Sequence, residues 1–177
     1  MRTSLVIAYA AVFTSLAVLV RYAKNALTTV QFVNFPLMFT MLSGMYFGTR
    51  VGGLVGFLSF FISDLLIIPG PWTLVNSLLA GLIGILWGLL KNISNRRIEM
   101  FVLAYLSTFL YDILSSVILY VVFGLDLTSA LIFGIIGLFL PVFGGSLIGV
   151  GPITEASTAT LVCLLSQILE KRGVINR

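Results

Sequence analysis

Histidine is absent from the 177 residues, cysteine occurs once, and only 9% of the residues are charged. Each shortage excludes something. Without histidine there is neither a zincin motif nor a serine–histidine pair for nucleophilic hydrolysis. The single cysteine, Cys163, cannot close an intrachain disulfide and says nothing about redox compartment. No Gly-x-x-x-x-Gly-Lys-Ser/Thr loop is present, so the chain has no cradle of its own for ATP phosphates. The acids do not form an aspartyl-protease signature. The chain therefore reads as a non-enzyme that needs neither metal nor cofactor.

The shortage of charge is the most informative. A soluble domain carries about a quarter of its residues charged. Here 59% are hydrophobic and the mean hydropathy is +1.15, which leaves too little polar surface for water. A bilayer is the solvent that fits. Helices satisfy their own backbone groups in lipid, so the expected fold is an all-α integral membrane protein, one transmembrane domain over 1–177. The apolar stretch 5–20 reads as a first span, not a signal peptide, because it lacks a small-residue cleavage site and further spans follow.

Six spans are expected at about 3–20, 35–49, 51–68, 72–90, 99–123 and 151–170, against the ~20 residues a crossing needs. The second is short, and with the third it forms a tight hairpin at Arg50 or a partly re-entrant pair. Pro69-Gly70-Pro71 ends the third span, since no helix continues through it. The apolar stretch 129–149 carries Gly134, Gly137, Pro141, Gly144, Gly145 and Gly149. It reads as a broken or re-entrant element before the last helix, which starts near Pro152.

Charge supports this count. Six spans with both termini cytoplasmic put Arg2, Arg50, Lys91, Arg96, Arg97, Lys171, Arg172 and Arg177 inside. Only Arg21 and Lys24 lie outside, eight basic residues against two of the ten, as the positive-inside rule requires. A complete seventh span would reverse the last three. The predicted location is the plasma membrane, multi-pass. The net charge of +4 is spread over short loops and is a topology signal with no nucleic-acid footprint. Gly44 with Gly48, Gly52 with Gly56, and Gly84 with Gly88 recur at a spacing of four, which suits close helix packing.

Three acids fall inside predicted spans: Asp64, Asp112 and Glu155. A carboxylate at mid-bilayer costs about 2.5–3.5 kcal/mol on insertion scales, so each marks a pathway, a site or a structural pair. By span direction all three belong to the outer half. Arg21, Asn34, Trp72 and Asn76 lie there too. On the fifth span Tyr105, Thr108, Asp112 and Ser116 form one stripe, and on the last Thr154, Glu155 and Thr158 form another. These residues predict a polar, aromatic-lined cavity open to the outside. The structural alternative is that Arg21 pairs with Asp64 or Glu155, that Glu155 is a helix N-terminal carboxylate, and that Trp72 is an interfacial belt residue. On the first span Ala10, Ala11, Thr14 and Ser15 make a smooth face on which another protein's helix can dock.

The run from Asn34-Phe35-Pro36 to Gly48, then Gly52-Gly53 to Gly56, Phe61-Ile62-Ser63-Asp64-Leu65-Leu66 and Gly70-Pro71-Trp72 resembles the substrate-binding S components of energy-coupling factor (ECF) transporters. The likeness extends loosely over the whole chain. It implies a six-helix prokaryotic subunit that captures a small water-soluble vitamin outside the cell with high affinity. It further implies partners, namely a transmembrane coupling protein and two cytoplasmic ATPases, and a toppling motion that releases the cargo. The family's alanine-x-x-x-alanine docking face has Ala11 and Ser15 as its nearest match here. The family site maps onto Trp72, Asn76, Asp112 and Glu155. Two other readings stay open: an ion-coupled secondary transporter working alone through Asp64, Asp112 or Glu155, and a membrane scaffold without ligand. The vitamin is not named by the sequence, although three acids against Arg21 suit a cationic or hydrogen-bond-rich ligand such as a thiamine-like ring.

Overall fold

In lipid a backbone finds partners mainly within its own helical turns, and this chain forms seven helices among the described residues. These are α1 (Thr3–Leu27), α2 (Phe35–Phe47), α3 (Thr49–Ile67), α4 (Pro71–Leu89), α5 (Arg97–Val122), α6 (Leu127–Phe139) and α7 (Gly151–Lys171). The structure, a computed structural model, describes residues 1–28, 30–90, 97–139, 142–144, 147–149 and 151–172. Lys91, Arg96, Pro141, Gly145 and Arg177, used above for charge bias and chain punctuation, lie outside them.

Five helices, α1, α3, α4, α5 and α7, are long and apolar enough to cross a membrane. The expected second span is the 13-residue α2, about 20 Å long at 1.5 Å per residue against a hydrocarbon core of about 30 Å. The expected broken element before the last helix is a second 13-residue helix, α6, followed by a hairpin of β2 (Val142–Gly144) and β3 (Leu147–Gly149).

An all-α fold is therefore not the whole description. The connection after α1 contributes β1 (Val30–Gln31), which pairs in parallel with β3, Val30 opposite Ile148 and Gln31 opposite Gly149, giving the sheet order β1-β3-β2. Backbone groups that leave a helix still need partners. The sheet supplies them by joining the α1–α2 connection to the segment that precedes α7.

The tightest packing is between α3 and α4. A Cβ added at Gly84 would collide with the carbonyl oxygen of Gly52, one at Gly56 with that of Ala80, and one at Gly44 with Gly84. Small residues on facing helices let backbones approach closely, as the glycine spacing predicts. Gly48 is the exception. Its φ of +87° and open surroundings make it the turn between α2 and α3, not a packing residue. α1 lies on α2 and α3, with Val6 and Ala10 against Val51 and Val55 and Tyr9 stacked on Phe47 at 4.1 Å.

α5, α6 and α7 form the other side of the bundle. Hydrogen bonds tie the halves, among them Trp87 Nε1 donating to Ser107 Oγ at 3.0 Å and Tyr46 meeting Ser166 Oγ at 2.7 Å. α5 ends on Gly124, whose φ is +96°. The Leu125 amide returns to the Tyr120 carbonyl at 3.0 Å, which satisfies an orphan helix carbonyl. Asp126 then caps α6 by accepting from the Ser129 amide at 3.0 Å. That bond holds its exposed carboxyl below the usual carboxylate range, so the cap persists at neutral pH and is lost as pH falls through the lowered value.

Gly84→Ala should cost about 1–3 kcal/mol through overpacking, because a carbonyl on another helix has nowhere to go. Gly53→Ala meets the flexible Ile85 side chain at 3.0 Å and the Gly81 carbonyl at an ordinary 3.7 Å, and should be tolerated. Thermal unfolding in detergent checks the pair, and equal melting temperatures would contradict the close α3–α4 contact.

Candidate functional site

Antiparallel packing brings the C-terminal ends of α1 and α3, the start of α4, the later half of α5 and the start of α7 to one end of the bundle. The polar residues of the spans collect there in two groups. The first surrounds Arg21. Its Nη2 lies 2.7 Å from Asp64 Oδ1, with side-chain exposures of 21% and 3%. Its Nη1 donates to Ser63 Oγ, and its guanidinium sits over the Phe60 ring, 5.0 Å from the centroid. Asn76, from α4, stands beside the same carboxylate. Asp64 Oδ2 has no hydrogen-bond partner among the described residues.

The second group belongs to α5 and α7. Glu155 is fully buried, and neither of its oxygens has a hydrogen-bond partner among the described residues. Asp112 is close enough for the two charges to act on each other, and Tyr105 faces Glu155 from α5. Tyr111 joins the groups. Its ring packs on Phe60 at 5.3 Å, and its buried hydroxyl, also without a hydrogen-bond partner among the described residues, lies within the fields of Asp112, Arg21 and Asp64.

Beside Asp112 a cavity of about 200 Å³ opens between α5, α6, the start of α7 and β1. Ser115, Ser116 and Tyr120 line it from α5, Gly134 and Gly137 from α6, and Gln31 and Thr154 from the opposite wall. Thr154 Oγ1 donates to the Gln31 carbonyl, and Thr158 Oγ1 accepts from the Asn34 amide at 2.9 Å. These bonds clamp the α1–α2 connection onto α7. The cavity mixes hydroxyl, amide and carboxylate groups with Phe133 and Leu138, a lining that suits a flat, donor-rich organic molecule.

The expected site residues thus separate by role. Arg21, Asp64 and Asn76 come together, as do Tyr105, Asp112 and Glu155, and only Asp112 of the ten lines the cavity. Asn34 caps α2 through the Leu37 amide at 3.2 Å. Thr108 bonds back to the Ala104 carbonyl at 2.9 Å, and Thr158 is taken up by its ties to Asn34 and Thr154. Trp72 closes the α3–α4 turn, with its ring over Gly70 and Nε1 donating to the Ile68 carbonyl at 3.1 Å. Sequence reasoning left out Gln31, Ser115 and Tyr120 as site residues. Ser116 and Thr154 were visible in the two stripes, and the α6 glycines were read only as punctuation.

On α1 the expected docking face divides. Ala10 and Thr14 turn into the bundle, whereas Ala11 and Ser15 are exposed. The Ala11–Ser15 pair lies about 100° around the helix from the Ala10–Thr14 pair, and the edge of the bundle falls between them.

Removing the cation from the buried pair should be costly. Arg21→Leu strands Asp64 and should lose about 3–5 kcal/mol, whereas joint replacement by Met and Leu should recover most of it. Melting temperatures of wild type, single and double variants measure this, and a harmless single variant would show that the pair contributes nothing.

A family model described as ECF-type riboflavin transporter, S component, matches residues 2–150. No curated protein and no solved structure matches the chain. The match takes in α1 to α6, the strands and the α5–α6 wall of the cavity, while α7, with Thr154, Glu155 and Thr158, follows it. Spread over most of a helical chain with membrane-crossing segments, that match places the protein in the family of ECF-type riboflavin transporter S components, multi-pass membrane subunits that bind a vitamin for energy-coupled uptake and are not enzymes.

Proposed function

We propose that the protein binds riboflavin, or a closely related flavin, in the cavity between α5, α6, α7 and β1, and receives it from outside the cell. The observation that carries this reading is the polar cavity itself, walled by a helix pair within the riboflavin-family match and carrying the Asp112 carboxylate on its lining. Riboflavin is uncharged, with an apolar benzenoid edge, an imide edge that both donates and accepts, and a hydroxylated side chain. Of the two ligand types the acids suit, it is the hydrogen-bond-rich one and not the cationic one. Phe133 and Leu138 suit the apolar edge. Asp112, Gln31 and the serines suit the imide and hydroxyl groups.

At about 200 Å³ the cavity is smaller than the roughly 300–1,000 Å³ of most small-molecule pockets. A three-ring vitamin therefore enters with some displacement of α6 or the hairpin. The orientation follows from charge. Arg2, Arg50, Arg97, Lys171 and Arg172 mark the end of the bundle away from the cavity, so both termini are cytoplasmic and the cavity faces outward. The partners are a transmembrane coupling protein and two ATPases. Ser15, with Thr14 and Val18 of α1, lines a groove of about 430 Å³ formed with Ile62 and Leu66 of α3, which suits a coupling-protein helix.

A proton-driven carrier would need acids that continue to the other end. Among the described residues those beyond the cluster are Glu99 and Glu170, and Glu170 is engaged by Tyr46 at 3.2 Å.

Titration of the purified protein with riboflavin, read by flavin fluorescence, should show submicromolar binding. Asp112→Asn and Thr154→Val should each weaken it about tenfold, the worth of one hydrogen bond of about 1.4 kcal/mol. Tight binding untouched by both changes would move the site elsewhere, and no binding at all would sink the flavin assignment. Ser15→Trp should abolish co-purification with the coupling protein while leaving flavin affinity unchanged. Undiminished co-purification would exclude the α1 face.

A further inference from the structure

At the far end of α5 from the cavity, two adjoining hollows share Arg97 and Cys163. One is a groove of about 270 Å³ along the outside of α5 and α7, walled by Ile98, Phe101, Thr160 and Leu164. Apart from Arg97 at its mouth, its polar side chains are spent internally. Thr160 Oγ1 donates to the Ala156 carbonyl at 2.7 Å, and Cys163 Sγ to the Arg97 carbonyl at 3.8 Å. The groove therefore presents an apolar surface. The other hollow is a polar cleft of about 150 Å³ at the helix ends, lined by Arg97, Ser166, Gln167, Glu170 and Lys171.

Charge distinguishes this cleft from ordinary helix-end surface. Glu170 is engaged by Tyr46 at 3.2 Å and by Ser166 at 3.5 Å. Arg97 and Lys171 form no ion pair among the described residues. Arg97 is also the first residue of α5, where the helix dipole adds positive potential, and the acid of that turn, Glu99, lines neither hollow. Two cations and a helix N-terminus thus stand at the mouth of an apolar groove wide enough for hydrocarbon. A free anion would use the cleft and leave the groove empty, and a neutral lipid would use the groove and leave the cations unmatched.

We propose that this crevice is a binding site for one anionic glycerophospholipid, its phosphodiester between Arg97 and Lys171 and an acyl chain along Phe101 and Leu164. The site is separate from the vitamin cavity. Arg97 and Asp112 are fifteen residues apart on one helix, about 22 Å along its axis. The lipid ties the start of α5 to the end of α7, the two helices that wall the cavity at their other ends.

The test uses detergent-purified full-length protein with phosphatidylglycerol, phosphatidylcholine of the same acyl chains, or inorganic phosphate added. Native mass spectrometry should show one retained phosphatidylglycerol, and the melting temperature should rise by several degrees with it alone. Arg97→Gln with Lys171→Gln should abolish both signals without altering riboflavin affinity. Leu164→Trp, which fills the groove and leaves the cations in place, should weaken lipid retention at least tenfold. An equal response to phosphatidylcholine would overturn the proposal, as would a full response to phosphate or retention by the double variant. Should the double variant not fold, undiminished retention by Leu164→Trp overturns it equally.

Discussion

Backbone-to-backbone contact between α3 and α4 is the constraint on which the bundle rests. Lipid tails are as apolar as leucine, so burying leucine between helices gains little in a bilayer and close packing must hold the bundle together. The chain follows this rule. Leu65, Leu66, Leu74, Leu78 and Leu82 lie on the outside, and Gly52, Gly56, Ala80 and Gly84 lie between the helices. α2 joins the same slab through Gly44, and α1 covers it through Val6 and Ala10. The polar cavity opens on the other side, where Ser115 and Ser116 of α5, Gly134 and Gly137 of α6 and Gly151 of α7 leave space between the helices.

Polar chemistry divides along that line. On the slab side Asp64 has its cation: Arg21 reaches it from α1, is steadied by Ser63 and Phe60, and ties the outermost helix to the bundle. A buried pair of this kind adds little net stability, yet leaving one member alone is expensive. On the cavity side Glu155 has no such partner, and its neighbour Asp112 carries the same sign. Of the two acids, Asp112 lines the cavity and Glu155 lies buried behind it. Tyr111 stands between the two groups, its ring against Phe60 and its buried hydroxyl without a hydrogen-bond partner among the described residues.

This arrangement fits a subunit that binds and hands over, and not one that drives transport itself. The chain has no ATP cradle, and Asp64, Asp112 and Glu155 gather at one end while Glu99 and Glu170 lie at the other. Energy must come from the partners that ECF transporters supply. Family membership removes the scaffold reading as well, since these subunits bind a vitamin.

The membrane class, the long helices, the glycine packing and the gathering of acids at one end were legible in the sequence, because each depends on local composition and on the periodicity of one helix. Resemblance over residues 34–72 reached the transporter family for the same reason, and the riboflavin branch came from the match over residues 2–150. Individual roles were not legible. Asn34, Thr108, Thr158 and Trp72 look like site residues by type and depth, yet each is taken up by a nearby backbone group. Whether a hydroxyl or amide is spent in this way depends on a neighbour one turn or one helix away. The sheet that joins β1 to β3 is likewise a pairing across more than one hundred residues, and Gln31 gains its place on the cavity wall through that pairing and the Thr154 hydrogen bond. Sequence alone determined which solvent the chain occupies and which residues lie deep in it. The tertiary structure alone decided which of them face one another, because a contact is a property of two helices and periodicity is a property of one.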